Sequence, residues 1–288
     1  MIIFLFMHLA QDLLPRAEAQ ALSDSSISHA SPFQLEHSYT HWLYSGRIRD
    51  SFLIQCYLPN PLTLPVDSLP VLFVLDGDMS FGMVYDIVRW LRWGNEIPEV
   101  AIIGLAYGKG QSAWWQKRSR DYTPSPDQSK IWGYWPMAGG SEFFKQFLED
   151  ELFPHLKEVY GLEGRNRIFI GMSFAGLIGA DILFSQPQLF DKYILAGPAL
   201  IWNNKEIYKK EKEFAGNSFS LEKVVFTAIG TLDEKNITEP WYEFFNLLKS
   251  RNYRGLDLYT WVVEGETHLS MFPAALVRGL KTVLNKQD

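Results

Sequence analysis

Six residues in a row, Gly171-Met172-Ser173-Phe174-Ala175-Gly176, could carry covalent chemistry. A serine hydroxyl is a weak nucleophile at neutral pH. It needs a base to take its proton and donors to hold the charge that develops on the attacked carbonyl. A sharp strand-turn-helix elbow serves both needs, because it exposes Oγ and aims the first helix amides at the oxyanion. The surroundings fit such an elbow: IFI precedes the turn and GLIGADIL follows with helical spacing. The pattern is GxSxA rather than GxSxG, which is tolerable if residue 175 need not be left-handed. The alternative is a Gly-Ser helix start without chemistry.

A base is then required. Of the six histidines, at positions 8, 29, 37, 41, 155 and 268, only His268 follows Ser173. In enzymes built on such an elbow the chain order is Ser, acid, His. His268 lies in EGETHLSMF, just past the last strand pattern. His37, His41 and His155 are assigned surface or packing roles. The orienting acid should follow a strand between Ser173 and His268, and TAIGTLDEKN supplies Asp233, with Glu234 as the alternative and a Ser-His pair as a further one. The oxyanion donors are expected at the Phe174 amide and, from the Asp76-Gly77-Asp78 loop after an early strand, at the Asp78 amide, with Gly77 letting the backbone approach a substrate.

These groups must be positioned by buried elements. Val71 to Leu75, Val100 to Ala106 and Arg167 to Ile170 read as strands. YILAGPAL, VVFTAIGT and LDLYTWVVEGE read as three more. The apolar runs imply burial on both faces, and their alternation with helical patterns predicts an α/β fold with a mostly parallel sheet and helices on both faces. HSYTHWLYS and DSFLIQCYLP alternate, as an antiparallel pair at the N-terminal edge would. Glu142 to Tyr160 reads as one amphipathic helix. Tyr107 to Ser141 reads as a long loop, of the kind that is functional or mobile. Its Trp114, Trp115, Trp132 and Trp135 either wall a substrate pocket or pack the loop. Arg118 and Arg120 either meet an anionic substrate group or pair with acids such as Asp121 and pin the segment, the second being favoured.

PVLFVLDGD, RSRDYTPSP, GGSEFFKQFLEDELFPHLKEVYG, GMSFAGL, LFDKYILAGPALIWNN, AIGTLDE and GETHLSMFPAALVRGL occur in one order over roughly residues 33 to 282. Together they resemble the putative-esterase branch of the α/β hydrolases, which holds ferric-siderophore esterases and esterase D-like enzymes. The resemblance implies an α/β-hydrolase fold and carboxylic-ester hydrolysis without a cofactor or metal. It implies Ser173 as nucleophile and His268 as base, and it favours Asp233. Ala175 for Gly, Met172 for His and Gly197-Pro198 for Ser-Pro depart from the family pattern and leave the substrate open. The rivals are a siderophore-lactone esterase, an acyltransferase on the same fold and a non-catalytic binding scaffold.

Composition bounds the rest. The 288 residues carry 47% hydrophobic and 21% charged side chains and a net charge of -6, which argues against nucleic acid as a partner and leaves a small-molecule ester. The lone Cys56 cannot form an internal disulfide and sits in a strand pattern, as a core thiol would. Residues 1–32 are expected to be an N-terminal extension before a catalytic domain of residues 33–288. Ile2 to Ala10 is apolar and too short to span a membrane, which takes about 20 residues. Small residues at 17, 19 and 21 would suit a signal-peptidase site, but no Lys or Arg precedes the run. The expectation is therefore a cytoplasmic protein, with export as the alternative. The sequence gives no indication of oligomeric state.

Overall fold

The computed structural model describes residues 33–108, 111–129, 133, 135–164 and 166–284. The N-terminal extension and Trp132 lie outside them. Eight strands form one sheet in the order β1-β2-β4-β3-β5-β6-β7-β8. The edge pair β1 (Ser38–Ser45) and β2 (Asp50–Tyr57) is antiparallel, and β2 joins β4 (Ala101–Ala106) antiparallel as well. From β4 onward every pairing is parallel: β3 (Val71–Val74), β5 (Arg167–Met172), β6 (Lys192–Ala196), β7 (Ser220–Gly230) and β8 (Arg254–Val263). This is the α/β-hydrolase arrangement that the sequence predicts, with its antiparallel edge.

Helices cover both faces, because β3, β4 and the middle of β5 are apolar on both sides and must be buried on both. On one face α1 (Gly77–Trp93) packs Phe81, Val84, Tyr85 and Val88 against Leu72, Val74 and Ile102, beside the C-terminal helix α8 (Met271–Val283). The other face carries α2 (Gln111–Tyr122), α3 (Ser141–Gln146), α4 (Phe153–Tyr160), α5 (Phe174–Ser185), α6 (Trp202–Asn217) and α7 (Lys235–Arg251). Helix α5 is buried on all sides from Phe174 to Phe184, so its sequence shows no polar stripe.

Three local features differ from the sequence expectation. The segment Tyr107 to Ser141 is not one loop, since α2 occupies its first half. The helix over Glu142 to Tyr160 is interrupted by a π-helical stretch at Phe147–Leu152. Pro154 follows it, and a proline has no N–H to return to the preceding turn. Within that stretch the Glu151 carboxylate accepts hydrogen bonds from Ser45 Oγ and the amides of Gly46 and Arg47, which ties the helix to the β1–β2 hairpin. The third is α6, which stands where no helix was expected and has left-handed residues at Asn203, Asn204 and Lys205. Cys56 is fully buried in β2, and burial pushes its thiol up to about 12, so it stays protonated.

Parallel pairing has one consequence for chemistry. The segments that leave the C-terminal ends of β3, β5, β6, β7 and β8 emerge on one rim of the sheet. They carry Asp76, Ser173, Gly197, Asp233 and His268 respectively.

Candidate active site

Ser173 sits between β5 and α5 with φ 60° and ψ −117°. A non-glycine residue there is strained by about 1–3 kcal/mol and persists only when its surroundings hold it. They do: the Ser173 amide donates to Ala196 O at 3.0 Å, and the Ser173 carbonyl accepts from the amides of Leu177 and Ala199 at 2.9 and 3.1 Å. Gly171 permits the turn, since a Cβ there would stand 2.4 Å from Ala175 O. Ala175 itself is helical and fully buried, so the left-handed residue is Ser173 and a methyl group at 175 is no obstacle.

The His268 imidazole is nearly buried. Its Nδ1 lies 2.7 Å from Asp233 Oδ2, and the Asp233 side chain is fully enclosed. The second carboxylate oxygen, Oδ1, accepts the Glu234 amide at 2.7 Å. Glu234 occupies the cap position of α7, where its carbonyl accepts from Ile237 and Thr238. Of the two adjacent acids, the carboxylate of Asp233 is the one that reaches the histidine. Ser173 and His268 flank the same turn after β6. Gly197 stands in that turn at φ +47°, and a Cβ on it would be 3.0 Å from His268 Cε1. Among the described residues no Ser173–His268 hydrogen bond is formed. In sites without substrate such bonds are commonly long.

The oxyanion side differs in detail from the sequence reasoning. The left-handed residue of the Asp76-Gly77-Asp78 loop is Asp76 (φ 54°, ψ 43°), not Gly77. Gly77 is buried against the sheet, where a Cβ would meet Gln55 Oε1 at 2.4 Å and the Leu105 backbone at 3.1 Å. Its small size therefore serves helix-sheet packing rather than substrate approach. Asp78 is the second residue of α1. Its carboxylate accepts the amides of Tyr107 and Gly108 at 2.6 and 2.9 Å, which fastens the end of β4 to α1. Phe174 opens α5, so the amides of Asp78 and Phe174 both lie in the first turn of a helix, where the dipole favours negative charge.

Arg118 is buried, and its partner is Asp76 rather than Asp121. Nε and Nη2 donate to the two Asp76 oxygens at 2.9 and 2.8 Å, and Nη2 also reaches Met172 O at 3.4 Å. Arg120 is the one that meets Asp121, at 2.7 Å, and it also meets Asp50 at 3.0 Å. Burial raises the Asp121 carboxyl above its ordinary range against the pull of Arg120 and of the Tyr107 hydroxyl. Trp114, Trp115 and Trp135 form an aromatic series that ends on Phe174: Trp114–Trp115 at 4.5 Å, Trp115–Trp135 at 6.0 Å and Trp135–Phe174 at 5.8 Å. Trp202 closes on Phe174 from the other side at 5.1 Å. The Trp114 and Trp115 indole N–H groups are buried and find no hydrogen-bond partner among the described residues. Sequence reasoning missed Asp76 as a structural acid and Trp202 as a neighbour of the elbow. The DGD run after a strand was a usable signal for Asp76, and Trp202 offered none.

Among the described residues no three His, Cys, Asp or Glu side chains converge to hold a metal ion, and no described helix is long and apolar enough to cross a membrane.

Comparison with known proteins bears on the family and the fold. The profile of the family described as "Putative esterase" matches residues 45–283. Ferri-bacillibactin esterase BesA of Bacillus subtilis is 27% identical over 244 residues, 80% of this chain and 84% of the relative. The siderophore triacetylfusarinine C esterase of Aspergillus fumigatus is 30% identical over 191 residues, 64% of this chain and 63% of that protein. Among solved structures, the BES protein from Bacillus cereus superposes with a TM-score of 0.80 at 25% identity, covering 89% of this chain and 98% of the other. The chain thus belongs to the Putative esterase family and is a carboxylic ester hydrolase with an α/β-hydrolase fold.

Proposed function

We propose that the chain cleaves its ester through an acyl-enzyme on Ser173, with His268 as general base and Asp233 as the acid that orients it. The observation that carries this reading is the buried Asp233–His268 pair at 2.7 Å, set across the β6 turn from a serine in a strained elbow. Asp233 accepts a hydrogen bond from Nδ1–H, which fixes the tautomer that leaves the Nε2 lone pair for the serine proton. Nε2 takes the Oγ proton while Oγ attacks the ester carbonyl carbon. The amides of Phe174 and Asp78 receive the oxyanion. The carbon–oxygen bond to the alcohol breaks, and His268 returns the proton to the leaving oxygen. Water then attacks the acyl-enzyme by the same route and releases the acid. Losing one oxyanion donor in a site of this kind costs about 10²- to 10³-fold in rate.

The substrate class we infer is a siderophore ester. Two of the similar proteins named above are a ferri-bacillibactin esterase and a siderophore triacetylfusarinine C esterase, and the aromatic series of Trp114, Trp115 and Trp135 that ends on Phe174 beside the elbow suits a bulky ligand. Purified protein would be assayed on p-nitrophenyl esters from acetate to dodecanoate and on a siderophore trilactone, with Ser173→Ala as control. Turnover that vanishes in Ser173→Ala supports the acyl-enzyme. Turnover retained by that variant in a clean preparation refutes it. Preference for simple esters over the trilactone would refute the substrate class alone. Added acceptor alcohols that divert the product would indicate acyl transfer in place of hydrolysis.

A further inference from the structure

An aspartate at the start of a helix ordinarily turns its carboxylate onto the first amides and caps them. Asp76 precedes α1 in the cap position, yet its side chain makes no capping hydrogen bond. Both carboxylate oxygens are held by Arg118, at 2.9 and 2.8 Å. Arg118 is itself fixed from several sides. It is 3% exposed, and its guanidinium lies 4.9 to 5.6 Å from the ring centres of Trp114, Trp115, Phe174 and Tyr122. Its Nη2 also reaches the carbonyl of Met172, the residue before the nucleophile. The Asp76 amide donates to the Tyr122 hydroxyl at 3.4 Å, one helical turn beyond Arg118. One buried side chain therefore spans the loop that begins α1 and the strand end that presents Ser173.

We propose that Arg118 is a positioning residue for the oxyanion site: by holding the Asp76 carboxylate away from the first amides of α1, it keeps those amides available to the substrate oxyanion and at a fixed separation from Ser173. The proposal rests on the acyl-enzyme reading above. Without Arg118, the Asp76 carboxylate has the chemistry and the location to cap α1 itself. The amides of Met79 and Ser80 already donate to the Asp76 carbonyl at 2.9 and 3.0 Å, so the carboxylate would compete for those of Gly77 and Asp78, and its negative charge would oppose the oxyanion. Arg118 is too enclosed to bind substrate, and it acts by gripping the Asp76 carboxylate and by its reach to the Met172 carbonyl.

The test is made on the full chain with p-nitrophenyl acetate, a neutral ester. Arg118→Gln is expected to lower kcat about 100-fold, in the range of a lost oxyanion donor, with KM nearly unchanged. Adding Asp76→Gly is expected to recover about tenfold of that loss, because glycine keeps the left-handed turn and brings no carboxylate. Removing Asp76 also removes a buried unpaired carboxylate, so Tm is read alongside: recovery of kcat, assayed well below both Tm values, marks the positioning role, and recovery of Tm alone marks a purely structural one. Should Arg118→Gln fail to fold, Arg118→Lys, which keeps the charge and loses the two-point grip, carries the same test with a smaller loss of about tenfold and the same relief by Asp76→Gly. Full kcat in the folded Arg118 variant, a double variant no faster than the single one, or a loss confined to KM would each overturn the proposal. Ser173→Ala is run alongside. If Ser173→Ala is inactive while the Arg118 variants keep full kcat, only this proposal fails. If Ser173→Ala keeps its turnover, the acyl-enzyme reading fails first.

Discussion

Asp233→Asn is the sharpest perturbation of the candidate site, because both oxygens of the carboxylate are already committed to N–H donors. Oδ2 accepts His268 Nδ1–H and Oδ1 accepts the Glu234 amide, each at 2.7 Å, inside a fully enclosed side-chain site. Asparagine offers one acceptor and one NH2. If the NH2 faces Glu234, two donors oppose each other, at a cost of about 1–3 kcal/mol to stability. If it faces His268, it donates to Nδ1 and moves the imidazole proton to Nε2, the nitrogen that must receive the serine proton. The second arrangement avoids the donor clash, so it should dominate. The wrong tautomer in a Ser-His-Asp site lowers kcat about 10⁴-fold, which is about 5 kcal/mol of transition-state stabilisation. The assay is kcat on p-nitrophenyl acetate, with circular dichroism and Tm to show that the variant folds. Glu234→Gln is the control. Only the Glu234 amide enters this geometry, so its kcat should stay within about threefold of the parent. A folded Asp233→Asn enzyme within tenfold of the parent would refute the orienting role. Equal losses in the two variants would refute the geometric distinction between these neighbouring acids.

Two further outcomes are expected. Gly197→Ala places a methyl group 3.0 Å from His268 Cε1 and Met271 Cε at a backbone φ of +47°. It should cost about 1–2 kcal/mol in stability, read as a Tm lower by several degrees, and about tenfold in kcat through a displaced imidazole. An unchanged kcat would mean that the ring is not held by this turn. At the sheet edge, His41 Nε2 lies 2.7 Å from His155 Nε2, with the Tyr160 hydroxyl 3.1 Å from His41 Nδ1. Burial, and then the charge of His155, lower the His41 pKa from its ordinary value of 6.5. The unfolded chain therefore binds this proton at a higher pH than the folded protein does. Stability should be full above pH 6.5 and fall as the pH drops through and below that value, until the folded-state pKa is passed. Tm measured from pH 7.5 to 5 should fall less steeply for His41→Gln than for the parent, and identical slopes would sink the assignment.

The sequence by itself determined the central strands, the elbow turn and which histidine follows it in the chain. Apolar runs such as Val71–Val74 and Ala101–Ala106 are short and set between turn signals, so they read as strands buried on both faces, and His268 is the one histidine after Ser173. Those are properties of contiguous residues or of residue counts. Helix α2 escaped notice because the face it buries carries Arg118 and Asp121 beside Trp114 and Tyr122, so burial there does not follow hydrophobicity. Its charges are tolerable inside only because Asp76 and Arg120 meet them, and Asp76 lies 42 residues before Arg118. Sequence proximity pointed Arg118 toward Asp121, whereas tertiary structure gave it Asp76. Asp233 and Glu234 are likewise indistinguishable in the chain, since both follow β7 within a few residues. Which of them faces His268 depends on how the turn enters α7 and where the end of β8 brings the imidazole. Local pattern fixes which segments become strands and helices. The pairing of charges across the rim exists only after parallel strands have brought their C-terminal ends together, and no stretch of sequence contains that information alone.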